Sequence, residues 1–293
     1  MGNSKSTSKK QKIALTNERQ KQQIRRKEEY YLPKSYYDID RLQRHHFFVK
    51  HVFGHNFSCP LEETLKTGAR VLDGGCGPGV WLLDMATQYP NSHFYGIDIE
   101  PLYPSQIKPA NVNFYRCDLM QLEKLNFEEN SFDMVRIGFM NLTFNEEIYA
   151  KIIEKMLKFL KPGGYFEISE VELIYSNIGK NFTQMMKTLI TSLERSADLT
   201  LKHENMLLAT GQLTNIQQVI RVTKLGSSGG FAGELYLSLV EEFFMGPIRM
   251  LLGEVMDMSP KEYEQFWQQC KAECIELGTG VPIKRIWGQK IVI

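Results

Sequence analysis

The 293-residue sequence has few cysteines and no long uninterrupted apolar run. Its five cysteines are an odd number without paired spacing, which excludes a disulfide framework and predicts free thiols in a reducing compartment. The most apolar stretch, Phe243–Leu252, contains Pro247 and Arg249 and is shorter than the ~18 residues that a membrane-spanning helix needs. No N-terminal apolar region is typical of a signal peptide, so we expect an intracellular protein.

The overall composition is that of a folded globular protein. Hydrophobic residues make up 43% of the chain and charged residues 24%, which excludes a collagen-like or wholly disordered molecule. A chain of this length can form one large domain or two small ones, and it can bury a sizeable core.

Positive charge is concentrated at the N-terminus. Residues 1–27 contain nine lysines or arginines against one acid, Glu18, whereas the rest of the chain has an excess of acids. We therefore predict a basic, disordered arm at residues 1–29 and a globular part at residues 30–293. Because the globular part is acidic, it offers no favourable field to nucleic acid, which we do not expect as a partner.

The arm permits more than one cellular location. Its first six residues match the N-myristoylation pattern, with Gly2 as the acylated residue. The basic residues that follow would supply the second signal that stable membrane anchoring requires. The clusters Lys9-Lys10 and Arg25-Arg26-Lys27 favour nuclear import equally well, and a solvated tail is a third possibility. We predict a cytoplasmic or nuclear protein, with membrane contact through the arm as an open alternative.

Strand and helix patterns alternate through the globular part. The predicted strands span residues 69–72, 93–97, 112–117, 132–137 and 165–169, and helices are predicted at 80–89 and 146–160. A capping-box spacing at Ser259-Pro260-Lys261-Glu262 predicts a helix to about Leu277, and Ile283–Ile293 is predicted as a final strand. This alternation is typical of a doubly wound α/β sheet with mainly parallel strands.

The first predicted strand runs into the glycine-rich segment Asp73-Gly74-Gly75-Cys76-Gly77-Pro78-Gly79. Glycines permit a tight turn and a close approach of the backbone to a ligand, while the next helix directs its N-terminus at that ligand. The spacing does not match the dinucleotide fingerprint, because Val80 stands at its third glycine position. It also lacks the Gly-Lys-Ser/Thr end of a nucleotide-triphosphate loop.

This pattern resembles motif I of class I S-adenosylmethionine-dependent methyltransferases. The resemblance implies S-adenosyl-L-methionine as the cofactor and a Rossmann-like sheet of seven strands with helical cover, whose last strand, Ile283–Ile293, is antiparallel. Leu160-Lys161-Pro162-Gly163-Gly164 resembles the family's turn into the fifth strand.

The resemblance also implies which residues contact the cofactor. They are carried on the ends of the first three strands: Asp73, Gly75, Gly77, Gly79, Asp98, Ile99, Asp118 and Leu119. The carboxylate of Asp98 would accept both ribose hydroxyls, as acidic residues at the second strand do in related folds. Asp118 would accept the adenine amino group, and Leu119 would cover the ring.

A narrower resemblance covers roughly residues 30–175. The segments that carry it are Tyr31-Leu32-Pro33, Arg41-Leu42, His45-His46, 73–81, Tyr89-Pro90-Asn91, 99–109 and Asn130-Ser131-Phe132-Asp133. Together they resemble the fungal LaeA-like group, methyltransferases related to regulators of secondary metabolism. The sequence departs from that group at Lys34-Ser35 and at His45, where Gln is usual, and this leaves the acceptor substrate open.

Two residues of the predicted N-terminal cover are candidates for contact with the reacting groups. His46 is a candidate base or positioning residue, although a hydrogen-bonded packing role fits it as well. Tyr31 is a candidate to line the sulfonium by cation–π attraction. The Asp/Asn-Pro-Pro-Tyr/Phe motif of many amino-group methyltransferases is missing after the fourth strand, where residues 138–141 read Gly-Phe-Met-Asn.

The predicted organisation is a cover at residues 30–65, a cofactor-binding core at 69–173, and a helical roof with the last strands at 174–293. We expect no metal centre, since Cys270 and Cys274 share a helical face with no further ligand and are predicted to pack. The predicted function is methyl transfer to an unidentified acceptor, a small molecule or a protein. The alternative is a regulatory or scaffold protein that binds the cofactor and protein partners without turnover.

Overall fold

The computed structural model describes residues 36–292, so the basic arm, Gly2 and Tyr31 lie outside the described residues. The strands are β1 (Arg70–Gly74), β2 (His93–Asp98), β3 (Val112–Arg116), β4 (Phe132–Gly138), β5 (Leu160–Val171), β6 (Leu213–Lys224) and β7 (Gly280–Lys290). They form one sheet in the order β3-β2-β1-β4-β5-β7-β6. Strands β1 to β5 are parallel, and β7 is antiparallel to both of its neighbours. The predicted seven-stranded fold with an antiparallel last strand is confirmed.

Helices connect these strands. Those before β4 are α1 (Tyr36–Phe53), α2 (Glu62–Thr67) and α3 (Val80–Gln88), and α4 (Glu146–Leu157) joins β4 to β5. The helices after β5 are α5 (Lys180–Ser192), α6 (Leu199–Ala209), α7 (Gly230–Met245), α8 (Arg249–Val255) and α9 (Pro260–Leu277). Short 3₁₀ turns span Leu119–Lys124 and Ser227–Gly229. Within residues 36–292, none of the helices combines the length and apolarity that crossing a bilayer requires.

The capping box at the start of α9 is confirmed. The hydroxyl of Ser259 accepts a hydrogen bond from the N–H of Glu262, and the Glu262 carboxylate accepts one from the N–H of Ser259. Such reciprocal bonds satisfy two of the donors that a helix start leaves open. Further along the helix, Cys270 and Cys274 are fully buried in the hydrophobic core, which confirms their predicted packing role.

Two boundaries differ from those predicted. The turn expected at Lys161-Pro162-Gly163-Gly164 lies inside β5, because the pairing of β4 with β5 shifts register between Phe132 and Met134 and these residues form a bulge. The last strand begins at Gly280 and ends at Lys290, since Gly280, Val281 and Pro282 pair with the end of β6. Ile293 lies outside the described residues.

Helix α1 belongs to the same hydrophobic layer as the helices that follow β5. Phe48 and Phe53 of α1 are buried in one cluster with Tyr236 of α7 and Trp267 of α9. Helix α1 also packs against α3, the helix that follows the glycine-rich segment. Segments from the predicted cover and the predicted roof therefore share one core beside the first βα turn.

Candidate cofactor and acceptor site

The glycine-rich segment forms a tight turn between β1 and α3. Gly75, Gly77 and Gly79 have φ angles of 73°, 53° and 74°, a left-handed region that favours glycine. The N–H groups of Gly75 and Cys76 both donate to the carbonyl of Ile97 on β2, at 2.8 and 3.0 Å. A Cβ atom on Gly77 would have no heavy atom within 4 Å, so the turn leaves space at its centre.

The N-terminus of α3 faces this turn without a capping side chain. Gly79 stands at the N-cap position in the left-handed conformation, and no side chain accepts from the first turn of the helix. The first N–H groups of a helix lack intrahelical partners and carry the positive end of the helix dipole. They therefore offer donors to a ligand in the space beside Gly77.

Asp73, the last residue but one of β1, is a buried carboxylate with one ion-pair partner. Its side chain is 3% exposed, and the guanidinium of Arg136 on β4 donates to it at 2.7 Å. Burial raises the pKa of Asp73 even though Arg136 opposes the shift. Arg136 also lies 4.5 Å from the ring of Trp81 on α3, so it links the turn, β4 and the helix. The predictions omitted Arg136, although a charged residue between the apolar Val135 and Ile137 of β4 was the available signal.

Asp98 lies at the end of β2 and is tied directly to the turn. One carboxylate oxygen accepts the N–H of Gly77 at 2.7 Å, and the other accepts the N–H of Glu100 at 2.9 Å. Burial raises the pKa of Asp98, against the effect of these two hydrogen bonds. Each oxygen keeps a second lone pair, so the carboxylate can accept two further donors. Ile99, the next residue, is 45% exposed beside it.

Asp118 and Leu119 complete the edge at the end of β3. Asp118 caps the 3₁₀ turn Leu119–Lys124, with one oxygen accepting the N–H of Met120 at 2.8 Å. Leu119 reaches back to β1, because a Cβ on Gly74 would lie 3.3 Å from its side chain. The structure thus brings together every predicted cofactor residue that it describes, at the carboxyl ends of three adjacent strands.

The loop after β4 closes the other side of the turn. Phe139 has a φ angle of 60°, which is rare for a residue with a side chain, and its N–H donates to the Ser169 carbonyl at 2.8 Å. A Cβ on Gly75 would lie 2.7 Å from the sulfur of Met140, so the loop packs tightly on the turn. Strained backbone of this kind is held only where its surroundings fix it.

Glu170 on β5 is the group that holds this loop. Its fully buried carboxylate accepts hydrogen bonds from the N–H of Met140 at 2.7 Å and the hydroxyl of Tyr149 at 2.8 Å. Burial raises the pKa of Glu170 to about 7, in spite of these donors. The predictions also omitted Glu170, because nothing in the sequence pairs a strand-five glutamate with a loop thirty residues earlier.

His46 is hydrogen-bonded to α3. Its Nε2 lies 3.0 Å from a carboxylate oxygen of Asp84, which also accepts from Lys50 and Asn56. Burial works against ionisation of Asp84, but these hydrogen bonds outweigh it and lower the pKa of the carboxyl. One ring nitrogen of His46 is therefore engaged in joining α1 to α3. Its role as a base stays a prediction.

The geometry fits S-adenosylmethionine, the cofactor that the sequence resemblance implies. The space beside Gly77, the uncapped start of α3 and the remaining lone pairs of Asp98 lie around one turn. The methionine part of such a cofactor suits the helix start, and its ribose suits a carboxylate acceptor.

Comparison with known proteins supports S-adenosylmethionine as the cofactor. The family model of the methyltransferase domain matches residues 65–221, more than half of the chain. The N-methyltransferase verN of Clonostachys rogersoniana is 29% identical over 147 residues, which cover 49% of this chain and 50% of that protein. The secondary metabolism regulator laeA of Aspergillus fumigatus is 32% identical over 152 residues, covering 50% of this chain and 38% of the relative. The matches thus span half or less of these relatives.

A solved structure shows the same fold. Phosphoethanolamine N-methyltransferase 2 of Haemonchus contortus, in complex with S-adenosyl-L-methionine, superposes with a TM-score of 0.50 and 20% identity. The match covers 84% of this chain and 56% of that chain. On the strength of the family match and this sheet topology, the chain belongs to the methyltransferase family and has its class I, Rossmann-like fold.

Proposed function

We propose that the protein binds S-adenosyl-L-methionine at the glycine turn and transfers its methyl group to an acceptor held between α1 and the loop after β4. The observation that carries this proposal is the bond from the Gly77 N–H to the buried Asp98 carboxylate. This bond places the carboxylate that would accept the ribose hydroxyls against the turn that would hold the methionine part of the cofactor.

The residues of the chain would mainly bind and orient. When bound, S-adenosylmethionine supplies an electrophilic methyl carbon on a sulfonium centre. Asp98, Asp118 and the start of α3 would hold the cofactor, while the loop at Phe139 and Met140 would position the acceptor. Alignment of the two reacting atoms at ~3–3.5 Å is the main contribution that a protein makes to such a displacement.

The acceptor is proposed to be a small molecule or a protein, in keeping with the resemblance to regulators of secondary metabolism. The absence of the Asp/Asn-Pro-Pro-Tyr/Phe motif after β4 makes adenine and glutamine amides poor candidates. The alternative function, cofactor-dependent docking to protein partners without turnover, is an outcome of the test.

Calorimetric titration with S-adenosylmethionine tests the binding step. The Gly77→Val variant should lose binding, because a side chain would fill the space beside the turn. Gly211→Val is the matched control, since Gly211 also has a positive φ and an open Cβ position but lies between α6 and β6. Equal binding by wild type and both variants would overturn the assigned site.

Formation of S-adenosylhomocysteine tests turnover. Wild-type protein with S-adenosylmethionine and an extract of the source organism should form S-adenosylhomocysteine, and the Gly77→Val variant should not. Binding without any product would favour the regulatory alternative.

We also propose that the basic arm directs an intracellular protein to membranes through an acylated Gly2. The pattern at residues 1–6 and the nine basic residues that follow support this location. The Gly2→Ala variant should leave the membrane fraction, and mass spectrometry should find a fatty acyl group on the wild-type N-terminal peptide. If the wild-type peptide carries no acyl group and both wild type and Gly2→Ala are found in the nucleus, nuclear import is favoured instead.

A further inference from the structure

A group of polar residues lies on one face of the sheet, beside the glycine turn. Strand pairing places five of them in two adjacent rows across β1, β4, β5 and β7: Asp73, Arg136, Glu167, Ser169 and Arg285. Residues opposite each other in a sheet share a face, as do residues two apart on one strand. The ring of Phe53, the last residue of α1, lies 4.1 Å from the Arg285 guanidinium, so the end of α1 lies against this face. We call these five residues the polar floor.

Four buried polar atoms of the polar floor have no hydrogen-bond partner in the described part of the chain. They are Nε of Arg136, Oε1 of Glu167, Oγ of Ser169 and Nε of Arg285. Arg136 and Arg285 still retain 6% and 2% exposure, so neither guanidinium is completely enclosed. Buried polar groups in proteins almost always have a partner in protein, water or ligand. Four such atoms on one face therefore indicate that a polar molecule binds there.

The row nearest the carboxyl ends of the strands presents donors. A Cβ on Gly138 would lie 2.5 Å from the Arg136 guanidinium, so this side chain extends over Gly138 to the level of Ser169, its neighbour on β5. Arg285 pairs with Ser169 at the same level. Two guanidinium groups and a hydroxyl thus lie together below the loop after β4, whose Phe139 N–H donates to the Ser169 carbonyl.

The two acids of the polar floor are already engaged by other groups. Asp73 accepts a hydrogen bond from the Arg136 guanidinium at 2.7 Å. One oxygen of Glu167 accepts the N–H groups of Ser58 and Cys59, at 2.6 and 3.0 Å, in the segment that joins α1 to α2. Neither acid therefore supplies a contacting counter-charge for Arg285.

Arg285 is a buried cation with neutral contacts. Its Nη1 donates to the carbonyl of His55 at 3.0 Å and lies 3.2 Å from the ring nitrogen Nδ1 of that residue. Burial lowers the pKa of Arg285 to about 10, and Glu167 opposes this shift without an ion-pair contact. A buried charge without a contacting counter-charge is costly, so a ligand with one negative charge would be stabilised here.

The same charges select among anions. A phosphate dianion would bring a second negative charge close to Asp73 and Glu167, and it would meet only one cation that lacks an ion pair. A carboxylate carries a single charge, and its planar shape matches the fork of a guanidinium.

We propose that Arg285 and Ser169 bind a carboxylate of the methyl acceptor, with Arg136 beside them on the side of the glycine turn. The proposal rests on the proposed function, because the bound carboxylate would lie next to a cofactor held at the turn. It names the acceptor class, a molecule that carries a carboxylate in addition to the atom that receives the methyl group. It also names Arg285 as a residue that determines specificity.

Binding of benzoate and of benzamide, which are similar in shape but differ in charge, tests the anion site. The full chain is first saturated with S-adenosylhomocysteine, and the affinity for each probe is measured by titration calorimetry. Wild type should prefer benzoate about 100-fold, since two hydrogen bonds to a charged group are each worth about tenfold or more. Arg285→Met should lose this preference, and Arg285→Lys, which keeps the charge, should retain part of it. Arg221→Met, on the exposed strand β6, should behave as wild type.

A second variant tests the site if Arg285→Met does not fold. Ser169→Ala removes one buried hydroxyl that has no protein partner, so the fold should persist while the preference for benzoate falls about tenfold. Ser131→Ala is the control, because Ser131 is also buried but precedes β4 at the other end of the strand, and it should keep the full preference. Equal affinity of wild type for the two probes, or a preference that Ser169→Ala leaves unchanged, would overturn the proposal.

The products of turnover test the acceptor class. Wild type is incubated with S-adenosylmethionine that carries an isotopic label on its methyl group and with a small-molecule extract of the source organism. Labelled products should bind an anion-exchange resin both before and after phosphatase treatment, because the bound carboxylate is not the group that is methylated. Labelled methyl esters, or products that no longer bind the resin after phosphatase treatment, would contradict a carboxylate site. Protein that does not bind S-adenosylhomocysteine would instead refute the proposed function.

Discussion

Glu170 should make the stability of the protein depend on pH between about 4.5 and 7. Its pKa is 4.5 in an unfolded chain and about 7 in the folded protein, where burial disfavours the carboxylate. Within this range the folded state holds a proton that the unfolded state has released. The stabilisation from this group is therefore complete below pH 4.5 and is lost as the pH rises through 7. The rise in pKa corresponds to about 3 kcal/mol of unfolding free energy.

Urea unfolding across pH 5 to 8 measures this effect when wild type is compared with Glu170→Gln. His45 and His203 have pKa values lowered to about 3, so their contributions change with pH in the opposite direction. Both histidines are present in wild type and in Glu170→Gln, so their contributions cancel in the difference between the two unfolding free energies. The difference in unfolding free energy should change by about 3 kcal/mol across the range. Glu154→Gln, on the exposed side of α4, should behave as wild type. Parallel curves for wild type and Glu170→Gln would refute the reasoning.

Three further substitutions probe the site. Asp98→Asn should weaken S-adenosylmethionine binding at least tenfold in calorimetry, because hydrogen bonds to a charged group are each worth ~1.5–3 kcal/mol. The control variant Asp257→Asn, at an exposed position, should bind the cofactor as wild type does. An unchanged affinity of Asp98→Asn would contradict the ribose assignment. Arg136→Met leaves Asp73 without its cation and should cost about 3–5 kcal/mol of stability in urea unfolding, while Arg221→Met on exposed β6 should cost little. Gly96→Ala should cost ~1–3 kcal/mol by overpacking, since its Cβ would lie 2.6 Å from Leu82 and 2.7 Å from Phe114, and Gly253→Ala, with its nearest contact at 3.7 Å, is the control.

The cofactor side of the site was predictable because it is carried by short sequence patterns. Asp73, Asp98 and Asp118 lie at or within two residues of the end of a strand, and parallel strands place their ends at one edge of a sheet. Neither Arg136 nor Glu170 was predicted. Their partners depend on strand register and on the path of a loop, and a single sequence specifies neither.

The acceptor side was less predictable for a related reason. His45 and His46 are adjacent in sequence, but one faces Phe139 and the other bonds to Asp84. Adjacent residues on a helix point in different directions, and only the packing of α1 decides which histidine faces the loop after β4. The six-residue helix α2 was also missed, since it is too short to show a periodic pattern.

The position of β7 has a consequence for how the chain folds. β5 ends at Val171 and its neighbour β7 begins only at Gly280, so a growing chain carries an unpaired inner strand while residues 172–279 are made. Pairing of strands so far apart in sequence is slow, and an open strand edge is where chains associate wrongly. Folding should therefore be limited by the docking of β7 between β5 and β6, and aggregation should compete with that step.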